Sequence, residues 1–583
     1  MKAVAVLKNI LAGLYKSIKR FPLSILFSLS TAAILIVISE MQPIRDGSIR
    51  EMLYRLAMTA ALGIPLSLCI KLLYERDDSK NDIKLAAMYG AGIAALILYY
   101  FFLLGKLNMV SNTRYAGISI ALYLVFLYIP YLPRRENYEK YVIKVMTSFF
   151  ITAIYSAVLY GGLSAIWFTV NKLLGVNITS EIYYYTWLAV VFGFAPAYFL
   201  TGVPLYGQKL ESESFPKLLN ILLLYIVMPL LAIYTFILYI YFAKIIFTRV
   251  WPQGLVSNLV LWYSVIDAAT LFFITPVRHE NRWADVFLKW SPRIILPLLV
   301  MMFVSMGIRV NAYGITENRY YVIVLGLWVS CIMVYFAFSK KMINVILPVT
   351  LSAVAIISVI GPFSSYSVSK WSQNKRFEGI LSKNGMLEGR KIKLSNTISS
   401  KDKIEISSIL NYFMRNHDLK DVSLLPDDFK MENMDKVFGF PYEPTQENRN
   451  DYFDFMIDAN GGPIDIKGYD YMFESISNRT GNSKNPLDAV YDSQSGILKI
   501  NHNGKTVYEK NMSSILDELI KKHSATTNKN ALPAEDMIFT DENESVKVKF
   551  IIKYISGRKD NVGGNVLNGI EFNMLVNYID DKL

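Results

Sequence analysis

One carboxylate stands out by its surroundings. Asp267 falls inside the apolar run Tyr263-Ser264-Val265-Ile266-Asp267-Ala268-Ala269-Thr270. An ionisable group at membrane depth is expensive, so it is a functional candidate by default. Its nearest basic candidate in sequence is Lys244, in Tyr241-Phe242-Ala243-Lys244-Ile245-Ile246. The two fall on consecutive antiparallel helices. At helical rise Asp267 lies roughly 12–18 Å from the helix end where Lys244 is only about 6 Å deep. Lys244 is therefore expected to snorkel to that interface. Asp267 is left either as a proton or cation relay or as an acid hydrogen-bonded between helices.

A second group of acids, Asp451, Asp454, Asp458, Asp465 and Asp470, lies late in the chain. Together they would suit cation binding or acid–base work, with Asp454, Asp465 and Asp470 the candidates. Spread over strands that alternate faces, they also suit a solvated surface. The four histidines, His279, His417, His502 and His523, show no i,i+4 metal spacing, and no cysteine accompanies them. No metal site and no cofactor is expected. Cys69 and Cys331 both lie in apolar runs, so no disulfide framework is expected. The phosphate-binding G-x-x-x-x-G-K-[ST], the G-x-S-x-G elbow and D-x-D are all absent, which weighs against an ATP-driven motor, an elbow-type serine hydrolase and a metal-dependent glycosyltransferase. No self-sufficient catalytic constellation is evident.

The elements that must position these residues are of two kinds. Apolar residues make up 53% of the 583-residue chain, too many for an ordinary soluble protein. Up to Ile360, runs long enough to cross a bilayer alternate with short charged loops. Eleven spans are predicted: Phe21–Ser39, Leu53–Leu73, Leu85–Leu104, Tyr115–Leu132, Val145–Val170, Ile182–Val203, Leu218–Ile246, Leu255–Pro276, Ile294–Gly307, Tyr321–Phe338 and Ile343–Ile360. The first follows the basic residues Lys2, Lys8, Lys16, Lys19 and Arg20 and is expected to be retained, because no small-x-small cleavage pattern follows it. Gly161, Gly162, Gly193, Pro196, Gly202, Pro204 and Pro229 interrupt the apolar pattern and are expected to mark kinks or close packing.

The net charge of +12 is unevenly placed: residues 1–361 carry 31 Lys/Arg against 16 Asp/Glu, and residues 362–583 carry 29 against 32. The basic excess thus belongs to the membrane half, which argues for loop orientation and against nucleic acid as a partner. With the N-terminus cytoplasmic, 21 basic residues fall on the inner side and ten on the outer. Eleven spans then place the C-terminal domain outside the cytoplasm.

Residues 362–583 read as a soluble α+β domain with an antiparallel sheet. A basic amphipathic stretch, Tyr366–Leu381, is expected to dock at the membrane surface. A helix is expected over Ser400–Arg415, capped by Ser400, with Ile406, Ile409, Leu410 and Phe413 on one face. Strands are expected at Tyr452–Ile457, Pro463–Phe473, Ser545–Ile555 and Gly569–Tyr578. The dipeptide Asn503-Gly504 predicts a hairpin between Ile497–His502 and Lys505–Glu509. A second helix, Ser514–His523, carries Asp517 three residues after Ser514 as a capping box. Gly563-Gly564 reads as a loop tip.

The Leu222–Phe247 run, followed by Trp251-Pro252-Gln253-Gly254-Leu255-Val256-Ser257 and Leu261-Trp262-Tyr263-Ser264, resembles a bacterial membrane-protein family catalogued as domain of unknown function 4153. Asn384-Gly385-Met386-Leu387-Glu388-Gly389, Ile406-Ser407-Ser408-Ile409-Leu410-Asn411-Tyr412 and Ile464-Asp465-Ile466-Lys467-Gly468-Tyr469-Asp470-Tyr471 are similar to it too. Asp418 after His417 departs from the family's pattern, which favours Gly there. The resemblance implies an uncharacterised multi-pass protein of the inner membrane in a Gram-negative envelope, and it carries no catalytic residue to transfer. Two functions fit the residues: a transport-like or envelope ligand-sensing protein in contact with the lipid bilayer and an envelope ligand or partner protein, or a membrane enzyme acting on lipid-linked or cell-envelope substrates through the late acids.

Overall fold

The computed structural model describes all residues except 1, 42–46, 78–80, 133–136, 209–214, 250–254, 340, 390, 396–397, 444–451, 459–462, 477–486, 494, 524–530, 560–564 and 580–583. Asp451, Trp251 and the Gly563-Gly564 tip lie outside the described residues. The chain divides into two compact units, one of Met1–Lys391 with Tyr412–Asp428, the other of Ile392–Asn411 with Phe429–Leu583.

The first unit is helical. Among the described residues ten helices are long and apolar enough to cross a membrane: Pro22–Glu40, Gly47–Glu75, Asp82–Leu103, Met109–Tyr131, Tyr138–Leu174, Ser180–Thr201, Lys217–Thr248, Val256–Val277, Arg282–Tyr313 and Glu317–Phe338. They match ten of the eleven expected runs. The eleventh run is helical only over Ile346–Ile357. Twelve residues rise about 18 Å, short of the roughly 30 Å hydrocarbon core. Turn hydrogen bonds continue it at both ends, from Leu347 N–H to the Asn344 carbonyl (3.1 Å) and from Ile360 N–H to the Ile356 carbonyl (3.0 Å). Gly361, at φ +85°, then turns the chain.

The faces these helices present outward are apolar. Phe150, Val158, Leu230 and Phe236 are each at least 60% exposed, which only an apolar solvent tolerates over so large a surface. The helix Val256–Val277 is the opposite case, with 61% of its apolar window buried against 17% for Asp82–Leu103 and Ser180–Thr201. It is the central helix of the unit, and it carries Asp267.

Three helices contain π-helical turns, at Tyr99–Leu103, Ala189–Phe194 and Leu222–Val227. The last two stand directly before Pro196 and Pro229. A proline ring collides with the carbonyl four residues back and offers it no N–H, and widening the preceding turn relieves both problems. The expected interruptions are therefore local rewindings. Gly202 meets Ser148 closely, whereas a Cβ added at Gly161 or Gly162 would have nothing within 4 Å, so that pair is not a close-packing point.

The basic N-terminal segment is itself a helix, Lys2–Arg20. Phe21, with φ −125° and ψ 55°, and Pro22 at the next helix start separate it from the first span. Its C-terminal end is anchored by Ser17, whose hydroxyl donates to the Ala197 carbonyl at 2.7 Å, and by Arg20. The expected amphipathic stretch Tyr366–Leu381 forms the helix Ser365–Lys383, with Tyr366, Ser369, Gln373, Phe377, Ile380 and Leu381 on its buried face. Gln373 Nε2 donates to the Tyr313 and Ile315 carbonyls at 3.1 and 3.0 Å, which fixes this helix to the turn between the last two long spans.

The second unit is α+β. Its main sheet has Val546–Lys559 at the centre, antiparallel to Asn565–Tyr578 on one side and to Tyr452–Ile457 and Ile538–Glu542 along the other. Tyr471–Ile476 extends the sheet antiparallel beyond Asn565–Tyr578, and Ala531–Leu532 joins Tyr452–Ile457 in parallel. A separate antiparallel sheet holds Leu487–Asp492, Ile497–His502 and Lys505–Asn511. Its second turn is the expected Asn503-Gly504 pair, with φ of +49° and +79°, the two positive values that a type I′ turn demands. The apolar core includes Val548, Phe550, Ile552, Phe572, Leu516 and Leu519. Helix Ser513–His523 lies so close to the sheet that a Cβ on Gly557 would meet Leu516 and stand 2.8 Å from the Val566 carbonyl.

Three local expectations shift. Helix Ser400–Asn416 is capped by Ser399, whose Oγ accepts from Asp402 N–H at 3.2 Å while donating to the Asp402 carboxylate. Ser514 turns back to the Asn511 carbonyl (2.7 Å), and Asn511 Oδ1 accepts from Ser513 N–H (3.0 Å) in place of the expected box. The stretch Pro463–Asp470 is irregular, and the strand begins at Tyr471.

One polar cluster in this unit predicts a pH response. Asp541 Oδ2 accepts from Lys510 Nζ (2.5 Å) and Tyr508 Oη (2.7 Å). Lys510 holds the Asp541 carboxyl below the usual carboxylate range, and burial raises the Tyr508 phenol. A depressed folded-state pKa contributes stability that is present above the unfolded value, about 3.9, and is lost as pH falls through the folded value. Thermal unfolding followed from pH 6 downward is expected to show this loss below about pH 4, and Asp541→Asn should flatten that part of the profile.

Candidate functional site

Asp267 is fully buried on the central helix. Ser291, on Arg282–Tyr313, donates its hydroxyl to Asp267 Oδ1 at 2.8 Å. The second oxygen, Oδ2, is buried and has no hydrogen-bond partner among the described residues. Most buried polar atoms in proteins are paired, so one left open asks for an explanation in a missing proton partner, water or ion.

The surroundings are built from three helices. One turn before Asp267, Tyr263 is buried on the same face, and its hydroxyl bonds Thr235 on Lys217–Thr248. Tyr234 packs against the Tyr263 ring at 5.3 Å. Tyr239, also on Lys217–Thr248, donates to the Ile294 carbonyl at 2.7 Å. Pro292 and Pro297 lie inside Arg282–Tyr313. Each lacks an N–H, so the carbonyls of Leu288 and Arg293 lose their helical donors. Ser291 therefore presents its hydroxyl beside a proline, in a helix that stays continuous but lacks backbone donors at these two positions.

Lys244 takes no part. Its side chain is exposed, and no ion pair among the described residues includes Lys244 or Asp267. Asp454 is exposed on its strand, opposite Ser556. Exposed Asp465 accepts from Lys467 N–H at 2.9 Å through its side chain, while its carbonyl accepts from Lys549 Nζ at 2.7 Å. Exposed Asp470 donates its N–H to the Val576 carbonyl at 3.0 Å. Among the described residues no three His, Cys, Asp or Glu side chains come together as a metal-binding group.

A buried triad went unread in the sequence. Glu317, first residue of the last long span, is 6% exposed. Its Oε1 accepts from Tyr412 Oη at 2.7 Å, and His417 Nε2 lies 2.7 Å from the same oxygen and 3.0 Å from Tyr412 Oη. With Tyr412 donating to the carboxylate, Nε2 is the proton-bearing nitrogen of His417. Burial, reinforced by the Glu317 charge, raises the Tyr412 phenol above its usual range. Glu317 Oε1, Tyr412 Oη and His417 Nε2 meet at one point, so the triad is a tie that holds Tyr412–Asp428 within the helical unit. A second tie, Lys370 Nζ to Asp421 Oδ1 at 2.9 Å, works beside it. No sequence signal links residues about a hundred positions apart.

A family model described as a domain of unknown function (DUF4153) matches residues 25–391. The chain belongs to this family. The matched stretch contains every long span but the start of the first, together with Asp267, Ser291 and Glu317, so the central polar site lies within the DUF4153 region. A protein of Pasteurella multocida (strain Pm70), described as uncharacterized, is 22% identical over 376 residues. That similarity spans 64% of this chain and 61% of the relative. No solved structure matches the chain. As a DUF4153 member with ten long apolar helices, the protein is a multi-pass membrane protein.

Proposed function

We propose that this protein is a transport-like or ligand-sensing protein of the bacterial inner membrane, with Asp267 as its intramembrane polar centre. The observation that carries the reading is the open Asp267 Oδ2, wholly buried on the most buried span. A proton or small cation is the species such an oxygen takes up. In the proposed topology the N-terminus is cytoplasmic, supported by the two-to-one basic bias of alternate loops. Ile346–Ile357, about 18 Å at helical rise, together with the turns that flank it makes the eleventh crossing. The chain from residue 362 then lies on the periplasmic side. A membrane enzyme working through the late acids would need them to converge, and among the described residues no three His, Cys, Asp or Glu side chains gather as a group.

Proton uptake into proteoliposomes of the full-length protein, driven by a potassium diffusion potential and read by a trapped pH dye, tests the reading. Wild type is expected to exceed empty vesicles, and Asp267→Asn to fall to their level.

A further inference from the structure

The helical unit also contains a cavity of about 880 Å³ that Asp267 does not line. Ser24 and Ser28 of the first span, Tyr123 of the fourth, and residues of Tyr138–Leu174 and Ser180–Thr201 wall it. Tyr138–Leu174 contributes Val145, Phe149, Thr152, Ser156 and Tyr160, one face taken at three- and four-residue steps. That face extends roughly 22 Å at helical rise, so the cavity is a slot running along the spans for most of the hydrocarbon thickness.

Its chemistry is narrow. Among the described residues no Asp, Glu, Lys, Arg or His lines it, and a phosphate or ammonium group inside would be desolvated without a counter-charge among them. Three small hydroxyls on the wall are already engaged: Ser24 with Ser67 (2.7 Å), Ser28 with the Phe192 carbonyl (2.6 Å) and Thr152 with the Ser148 carbonyl (2.7 Å). Ser156 Oγ is the exception, buried and without a partner. The Phe192 carbonyl that Ser28 satisfies belongs to the π-helical turn Ala189–Phe194, and Val190, Val191 and Phe192 from that turn form part of the wall. Such turns recur at functional sites.

We propose that this slot binds a neutral, chain-like lipid bearing one hydrogen-bonding head group, with Ser156 as the partner of that head. Length selects a chain, the absence of charge among the lining residues disfavours ionic heads, and the open Ser156 hydroxyl supplies a polar contact on a wall that also holds Tyr123, Tyr160 and Trp187. The slot opens to its surroundings along one side, where the lining residues Phe149 and Trp187 are 53% and 41% exposed, so a chain can enter it from the bilayer. A phospholipid tail would fill it without using Ser156 and would leave its headgroup no counter-charge among the lining residues.

Photolabelling of the full-length protein in nanodiscs distinguishes the two occupants. A diazirine-bearing hexadecanol is expected to label peptides within 145–160 and 187–200, with excess unlabelled hexadecanol competing. Ala153→Trp, which fills the slot, should abolish that labelling, and Ser156→Ala should weaken it roughly fivefold, the worth of one hydrogen bond. A diazirine-bearing phosphatidylcholine should label outer helix faces and ignore both substitutions. The proposal is overturned if the phosphatidylcholine probe labels the same peptides with the same sensitivity to Ala153→Trp. It is equally overturned if Ser156→Ala leaves hexadecanol labelling unchanged. Should Ala153→Trp not fold, Ser156→Ala carries the test alone.

Discussion

Glu317→Ala is expected to destabilise the helical unit by about 1–3 kcal/mol, the usual effect of removing the acceptor from a buried hydrogen-bonded cluster. The substitution removes the acceptor that His417, 3% exposed at its side chain, and Tyr412 share, and leaves the 3.0 Å contact between the two. Glu317→Gln keeps an acceptor oxygen and should lose less. His417→Ala should fall between the two, because Tyr412 still reaches the carboxylate. Thermal unfolding of the detergent-solubilised protein measures all three. A cycle with Glu317→Ala and His417→Ala should show strong coupling, since the two side chains share one contact. Protease cleavage within Tyr412–Asp428 should rise in step, because the triad is a principal tie of that segment.

Arg20→Ala should cost about 3 kcal/mol or more, the usual effect of removing one partner from a largely enclosed ion pair. The guanidinium makes a two-pronged contact with Glu75, Nε to Oε1 at 2.9 Å and NH2 to Oε2 at 2.7 Å. It also donates to the Val203 and Pro204 carbonyls at 2.7 and 3.0 Å and lies over the Phe21 ring at 4.6 Å. The pair is mostly enclosed, with 16% and 15% side-chain exposure, so solvent screening weakens it little. One residue thus joins the N-terminal helix, the end of Gly47–Glu75 and the chain leaving Ser180–Thr201. Arg20→Lys should recover only a small part of the loss, because an ammonium cannot reproduce the planar fork. The readout is again thermal unfolding, with Glu75→Gln as the reciprocal variant.

The spans were legible because membrane thickness imposes a minimum apolar length, and that rule acts on contiguous sequence. At the eleventh run the regular helix is shorter than the apolar stretch, for a local reason. Asn344 is drawn into a hydrogen bond with Glu139 at 2.6 Å and Gly361 takes a positive φ, so the regular helix stops short at both ends. Asp267 was legible as a lone acid in an apolar run. Its partner Ser291 was not, because serine is ordinary in such helices and the contact depends on how two spans align. Glu317, Tyr412 and His417 come from distant segments, and each taken alone reads as a helix-terminal or surface residue. In the C-terminal unit the Asn503-Gly504 turn followed from backbone geometry alone. The order of strands around Val546–Lys559 did not, since partner choice across a sheet is settled by packing.

The measurement that tests the central claim most directly is proton uptake in proteoliposomes compared across wild type, Asp267→Asn, Asp267→Glu and Ser291→Ala. The expected result is uptake abolished by Asp267→Asn, retained in part by Asp267→Glu, and altered in rate by Ser291→Ala, which frees the second carboxylate oxygen. Wild-type uptake no faster than empty vesicles, or uptake that Asp267→Asn leaves untouched, would contradict the claim.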